Sequence, residues 1–143
     1  MAERWRVLVD TNVVLDVIQQ REPFYEDSAS VLDAVAYRTI EGMLAAHSVT
    51  TLFYVINRQQ GYATAVHALH RLLEYFAITP VDDVTIRQAL IWGWRDFEDA
   101  VQMAAASQHH LDYIITRNPK DFETQPVPVL SPAGLLALLR AGD

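Results

Sequence analysis

Val7-Leu8-Val9-Asp10-Thr11-Asn12-Val13-Val14-Leu15-Asp16 is the stretch on which the fold turns. The apolar run that follows Arg6 reads as a short buried strand. Asp10-Thr11-Asn12 then supplies helix-capping residue types ahead of Val13-Val14-Leu15 and Val17-Ile18, so a strand passes through a tight turn into a helix. Asp10 stands where the strand ends.

The same order recurs outward from this unit. Glu22-Pro23 marks a break, and Val31, Leu32, Val35 and Ala36 predict a second helix over Ser28 to Arg38. The run Met43 to Ala46 predicts another strand, and His47-Ser48 leads into a helix from about Thr50 to Gln60, which Gly61 can terminate. Val66, Leu69, Leu72, Leu73 and Phe76 stripe one face of the next helix. Ala77-Ile78-Thr79 is a small strand, and Asp82-Asp83 can cap a helix ending near Gly93. Another helix begins at about Arg95, and Tyr113-Ile114-Ile115 is the best later strand. Val127 to Leu130 contains a proline and therefore predicts an edge strand, followed by Ser131-Pro132 as the start of a terminal helix. Strands alternating with helices imply a three-layer α/β domain, with a central, mostly parallel sheet flanked by helices and one domain over residues 1–143.

Composition narrows the chemistry. The chain has no cysteine, which removes disulfides, thiolate zinc sites and thiol nucleophiles, and leaves oxygen and nitrogen ligands. The apolar run near the N-terminus is too short for a signal peptide or a membrane span, so the expectation is a cytoplasmic protein without a membrane. A net charge of -7 opposes broad attraction to nucleic acid, so any such contact must be local. Lys120 is the only lysine; arginines carry the remaining positive charge, either because they suit bidentate phosphate contacts or because genome composition favours them.

In open parallel sheets, ligands gather beyond the carboxyl ends of the strands. Asp10 ends the first strand and Thr116-Arg117-Asn118 ends the strong late one, so they face one crevice if those strands are neighbours. In Asp96-Phe97-Glu98-Asp99, Asp96 and Asp99 share a helix face. Clustered carboxylates suit a hard divalent cation such as Mg2+ or Mn2+. Each acid also has a plainer reading: Asp10 as a helix cap, and Asp96 and Asp99 as solvated charges at the positive end of a helix.

The segment from Val7 to Asp16 resembles the opening of PIN-domain proteins, including the VapC-like toxins. Asp96-Phe97-Glu98-Asp99-Ala100-Val101-Gln102 is similar to that family's acidic helix start, and Ile114 to Phe122 resembles its final strand and loop. The resemblance implies a parallel sheet, an acidic cluster binding magnesium or manganese, and RNA hydrolysis by a metal-activated water. Asp10 and Asp99 map onto the first and third family acids. It also implies, for a VapC-type toxin, a small antitoxin whose segment blocks the acidic crevice through arginine, and a homodimer is compatible with it.

Two departures stand out. Tyr54 occupies the position expected for the acid after the second strand, and Asn118 stands where the last acid usually follows Thr-Arg, with Asp121 three residues on. The expected site is therefore Asp10, Asp96 and Asp99 as catalytic and metal-binding residues, Asp121 as a further metal ligand, and Asn12, Thr116, Arg117 and Asn118 in substrate-binding or supporting roles. Arg117 either holds a phosphate or pairs with Asp121 or the acidic cluster.

Among other residues, His67 and His70 read as surface or packed, His109-His110 as helix-end residues, and Trp92 and Trp94 as core or interface. His47, after a strand end, is within reach of the crevice. A haloacid-dehalogenase-type phosphatase would need a second aspartate at position 12 and a lysine ahead of its last acids; Asn12 and the late Lys120 argue against it. The competing non-enzymatic reading is a PIN-fold RNA- or protein-binding module with little turnover, motivated by Tyr54 and Asn118.

Overall fold

The computed structural model describes residues 4–142. Five strands, β1 (Arg6–Val9), β2 (Glu41–Ala45), β3 (Ala77–Thr79), β4 (Tyr113–Ile115) and β5 (Val129–Leu130), form one sheet in the order β3-β2-β1-β4-β5, every pair parallel. Parallel neighbours need crossovers, and as far as β4 helices supply them in pairs: α1 (Thr11–Ile18) and α2 (Tyr25–Ala36), α3 (Ala46–Gln60) and α4 (Tyr62–Leu73), α5 (Asp83–Trp92) and α6 (Phe97–Gln108); a loop with one 3-10 turn leads from β4 to β5, and α7 (Pro132–Ala141) closes the chain.

The alternation along β1 explains the layers. Val7 and Val9 join the core shared with α1, α2, α3, α4 and α7, whereas Leu8 joins the core on the other face, with Ala89, Ala100, Met103 and Ala106 of α5 and α6. All three are fully buried, so an uninterrupted apolar run serves a strand covered on both faces. In β2, Gly42 lies where a Cβ would come within 2.7 Å of the Val35 methyls and 2.8 Å of Phe76, so helix packing there requires the missing side chain. Gly93 ends α5 in the left-handed conformation, φ 64°, as its position after Trp92 suggests.

Several boundaries differ from expectation. α2 begins at Tyr25 rather than Ser28, because Glu26 and Asp27 favour its first turn. α3 begins at Ala46, directly after β2, so His47 and Ser48 lie inside the helix instead of leading into it. β5 is an edge strand but only two residues long: Pro128 has no N–H, and contributes its carbonyl to Ile114 N at 3.0 Å. Asp82 caps α5 with Thr85 in a reciprocal capping box, and Ser131 caps α7 ahead of Pro132. No helix among the described residues is long and apolar enough to cross a membrane.

The chain builds β2 and β3 on one side of β1, then crosses back to build β4 and β5 on the other. The order thus reverses between β1 and β4, which is where a doubly wound sheet opens a crevice at its carboxyl edge.

Candidate active site

β1 and β4 are direct neighbours, with Val9 in register with Ile115, so Asp10 and Thr116 emerge side by side. Together with Thr11, Asn12, Thr51, Asp96, Glu98, Asp99, Asn118 and Asp121 they line a crevice of about 230 Å³. Four aspartates from three distant segments share it.

Asp10 stands at the N-cap position of α1, yet its carboxylate accepts no bond from the helix backbone. Its Oδ1 accepts from Thr11 Oγ1 at 3.2 Å and Gln102 Nε2 at 3.1 Å, and its Oδ2 from Thr116 Oγ1 at 2.8 Å. Both oxygens are therefore oriented, in a residue only 6% exposed. The capping reading fails for Asp10, whereas Asp96, expected as a solvated charge at the helix start, does cap α6: its Oδ1 accepts from the Asp99 backbone N–H at 3.0 Å while its side chain also faces the crevice.

Asp99 is half-buried in the first turn of α6, and its carboxyl is pushed up to about 8. Burial is the largest cause, followed by the charges of Asp10 and Asp96, a side-chain contact with Asp96, and the charge of Asp121. Without a neutralising partner, Asp99 therefore holds its proton at neutral pH. Gln102, fully buried, bridges the pair, donating to Asp10 Oδ1 and, at 3.3 Å, to Asp99 Oδ1. Sequence reading assigned it no role. The available signal was a lone polar residue, three positions after Asp99, within the apolar run Ala100 to Ala106.

Thr116 organises the rim. Besides donating to Asp10, its hydroxyl accepts from Asn12 Nδ2 at 3.2 Å and Asn118 N at 3.3 Å, while Asn12 Oδ1 accepts from Arg117 N at 3.3 Å. Asn12 and Thr116 thus tie α1 to the loop after β4. The Arg117 guanidinium takes neither of the courses expected for it: Nε stands 3.0 Å from Asp16 Oδ2, and the group lies over the Phe24 ring at 4.2 Å, away from Asp121 and the crevice. Asp16 is fully buried and receives a further bond from Ser28 Oγ at 3.2 Å. Burial pushes its carboxyl up, and Arg117, Ser28 and Arg21 pull it back.

The position expected at Tyr54 also needs correction. Tyr54 is 61% exposed, with its hydroxyl accepting from Arg58 at 3.2 Å, and it does not line the crevice. Because α3 starts at Ala46, the residue it presents there is Thr51, one turn earlier, whose hydroxyl donates to Glu98 Oε1 at 3.3 Å. The α3 position is uncharged on either assignment. His47 reaches α6 rather than the acids, with Nε2 3.1 Å from the Glu98 carbonyl. Trp94 is buried, stacked on Trp92 and edge-on to Phe122, in keeping with a core role.

Among the described residues, no three carboxylate or imidazole side chains converge closely enough to enclose a metal ion. The donor set does fit a magnesium-like cation, which takes one or two carboxylates and keeps several waters. Asp10 and Asp99, bridged by Gln102, are the best-placed pair; Asp96 and Asp121 adjoin them, and Asn118 offers a neutral oxygen.

The PIN domain family model matches residues 6–120. No curated protein matches the chain in sequence. Among solved structures, it is similar to a toxin-antitoxin complex from Klebsiella pneumoniae (21% identity, 88% of this chain and 97% of that one, TM-score 0.68). It is similar also to FitAcB from Neisseria gonorrhoeae (24%, 89% and 98%, 0.65) and to Mycobacterium tuberculosis VapC20, a toxin that cleaves the sarcin-ricin loop (19%, 76% and 86%, 0.62). At these identities the likeness establishes the fold.

Proposed function

The chain belongs to the PIN domain family, and on that premise we propose that it is a metal-dependent ribonuclease, the toxin of a toxin-antitoxin pair, with its site at Asp10, Asp96, Asp99 and Asp121. The observation that carries this reading is Asp10: a carboxylate at a helix N-cap that leaves the backbone uncapped and turns, held by three donors, toward a second acid pushed up to about 8. A structural cap would not be arranged so, and uncompensated acids at close quarters are a feature of functional sites.

Asp10 and Asp99 would hold a magnesium or manganese ion, with Asp96 and Asp121 adding charge at its edge. When bound, the cation supplies positive charge to the phosphodiester and activates water for attack. The protein's own part is positioning. Thr116 and Gln102 fix Asp10; Gln102 holds Asp99 beside it; Asn118 and Thr51, both uncharged, line the entry without repelling an RNA phosphate. Single-stranded or looped RNA fits best, since an open crevice at a sheet edge admits a splayed strand more readily than a duplex.

Likeness to a structure solved as a toxin-antitoxin complex supports a small protein partner, which co-purification from the native host tests. The neutral Thr51 and Asn118 favour one second reading, a binding module with little turnover. A screen of defined RNAs with manganese, repeated in excess chelator, decides between them. Cleavage that stops with chelator is expected; cleavage that persists excludes the metal mechanism, and no cleavage of any RNA favours the module.

A further inference from the structure

Beside the acidic crevice lies a second, larger cavity of about 680 Å³, lined by Arg95, Asp96, Phe97, Lys120, Asp121 and Glu123. Asp96 and Asp121 line both, so the two spaces adjoin. We propose that this second cavity is a nucleotide subsite of single-stranded RNA: Phe97 stacks on the base next to the scissile linkage, and Arg95 and Lys120 contact the flanking phosphates. The proposal rests on the ribonuclease reading and specifies how its substrate is held.

Three observations carry it. Phe97 is 44% exposed at the first position of α6, although α6 is otherwise so apolar that its next buried run, Ala100 to Ala106, is continuous. An aromatic ring left half in solvent beside a phosphate-cleaving crevice is a sequence-tolerant platform, because every base offers a π-face. Second, Arg95 and Lys120 are free cations: the ion pairs among the described residues are Arg6–Glu41, Arg87–Asp83 and Arg117–Asp16. Third, two of the cavity's three carboxylates are already engaged by backbone donors, Asp96 by Asp99 N and Glu123 by Arg95 N at 2.6 Å. The cavity sets two cations against three carboxylates, a formal balance of -1 in a chain of -7, and a divalent cation held by the adjoining acids would turn that balance positive where a phosphate must sit. The volume falls in the range of cavities that take small organic ligands.

The test uses a short, dye-labelled, mixed-sequence single-stranded RNA and a duplex of the same sequence. Binding is read by anisotropy with magnesium in an Asp99→Asn background, and cleavage kinetics in the otherwise wild-type chain. Arg95→Ala with Lys120→Ala should raise KM by about tenfold or more with kcat little changed. The pair should also flatten the dependence of log Kd on log salt by roughly 1.4, about 0.7 for each of two phosphates. Phe97→Ala should weaken single-strand binding about tenfold and leave duplex binding unchanged. Because Lys120 is the only lysine, bound RNA should also protect its side-chain amine from acylation. Arg71→Ala, on α4, is the control and should change nothing. RNA that is cleaved normally and bound with unchanged Kd and salt slope by both the Arg95→Ala/Lys120→Ala pair and Phe97→Ala overturns the subsite while leaving the ribonuclease intact. Equal losses on single strand and duplex overturn the stacking role. A wild-type chain that neither binds nor cleaves RNA removes the subsite together with the function it rests on.

Discussion

Replacing Asp99 with asparagine is expected to lower RNA cleavage by about two orders of magnitude or more, by analogy with the size of general acid–base effects, while the protein stays folded. The substitution keeps the side-chain volume and an oxygen for Gln102 but removes one charge from the pair that would hold the cation. Its effect on stability carries a sign that separates a site from a cap. Without divalent cation, the Asp99 carboxyl moves from an ordinary value of 3.8 to about 8 on folding. Its contribution is therefore fully present below about pH 4, is lost as pH rises toward 8, and is constant above that. Metal-free Asp99→Asn lacks this decline, so its Tm should overtake that of the wild type between about pH 5 and pH 8. If Asp99 served only the positive end of α6, the variant would instead melt lower at neutral pH, by about 0.3–1 kcal/mol, with cleavage intact.

The second large effect falls on stability. Arg117→Ala would leave Asp16, fully buried, with only the Ser28 hydroxyl and the more distant charge of Arg21 to offset its own, and removing one partner of a buried pair costs about 3–5 kcal/mol. Chemical unfolding should register this loss. The deficit should shrink as pH falls, because burial already holds the Asp16 carboxyl above its ordinary value and Arg117 is among the groups pulling it down. Asp16→Asn combined with Arg117→Ala should recover much of the loss. A phosphate-holding Arg117 makes the opposite forecast, weaker RNA binding in a protein as stable as the wild type.

The β1–α1 unit was legible because two independent signals coincide there: an apolar run that only a doubly covered strand explains, and three capping-type residues directly after it. The same logic placed β4, the edge position of β5 and the caps at Asp82 and Ser131. Asp96 and Asp99 were legible as a pair by helix spacing, and their meeting with Asp10 followed once β1 and β4 proved adjacent. The α3 side of the crevice was not. The resemblance pointed to Tyr54, whereas the residues of α3 nearest the sheet edge are those just after β2, so Thr51 lines the crevice and Tyr54 stands about a turn further on in solvent. Arg117 and Asp16, 101 positions apart, carry no local signal of their pairing. Its bulk and charge fit a phosphate as well as a buried carboxylate, and only the packing of Phe24 and Ser28 around Asp16 decides between them.

The central claim is that the crevice of Asp10 and Asp99 binds a divalent cation, and a manganese titration of Tm at about pH 8 tests it most directly, since protons compete less there than at neutral pH. The wild type should gain about 2.7 kcal/mol at a hundredfold excess over Kd, or roughly 5–10 °C for a chain of this size, and Asp99→Asn should gain far less. A wild-type Tm that does not move with manganese, or an equal rise in both proteins, would contradict the account.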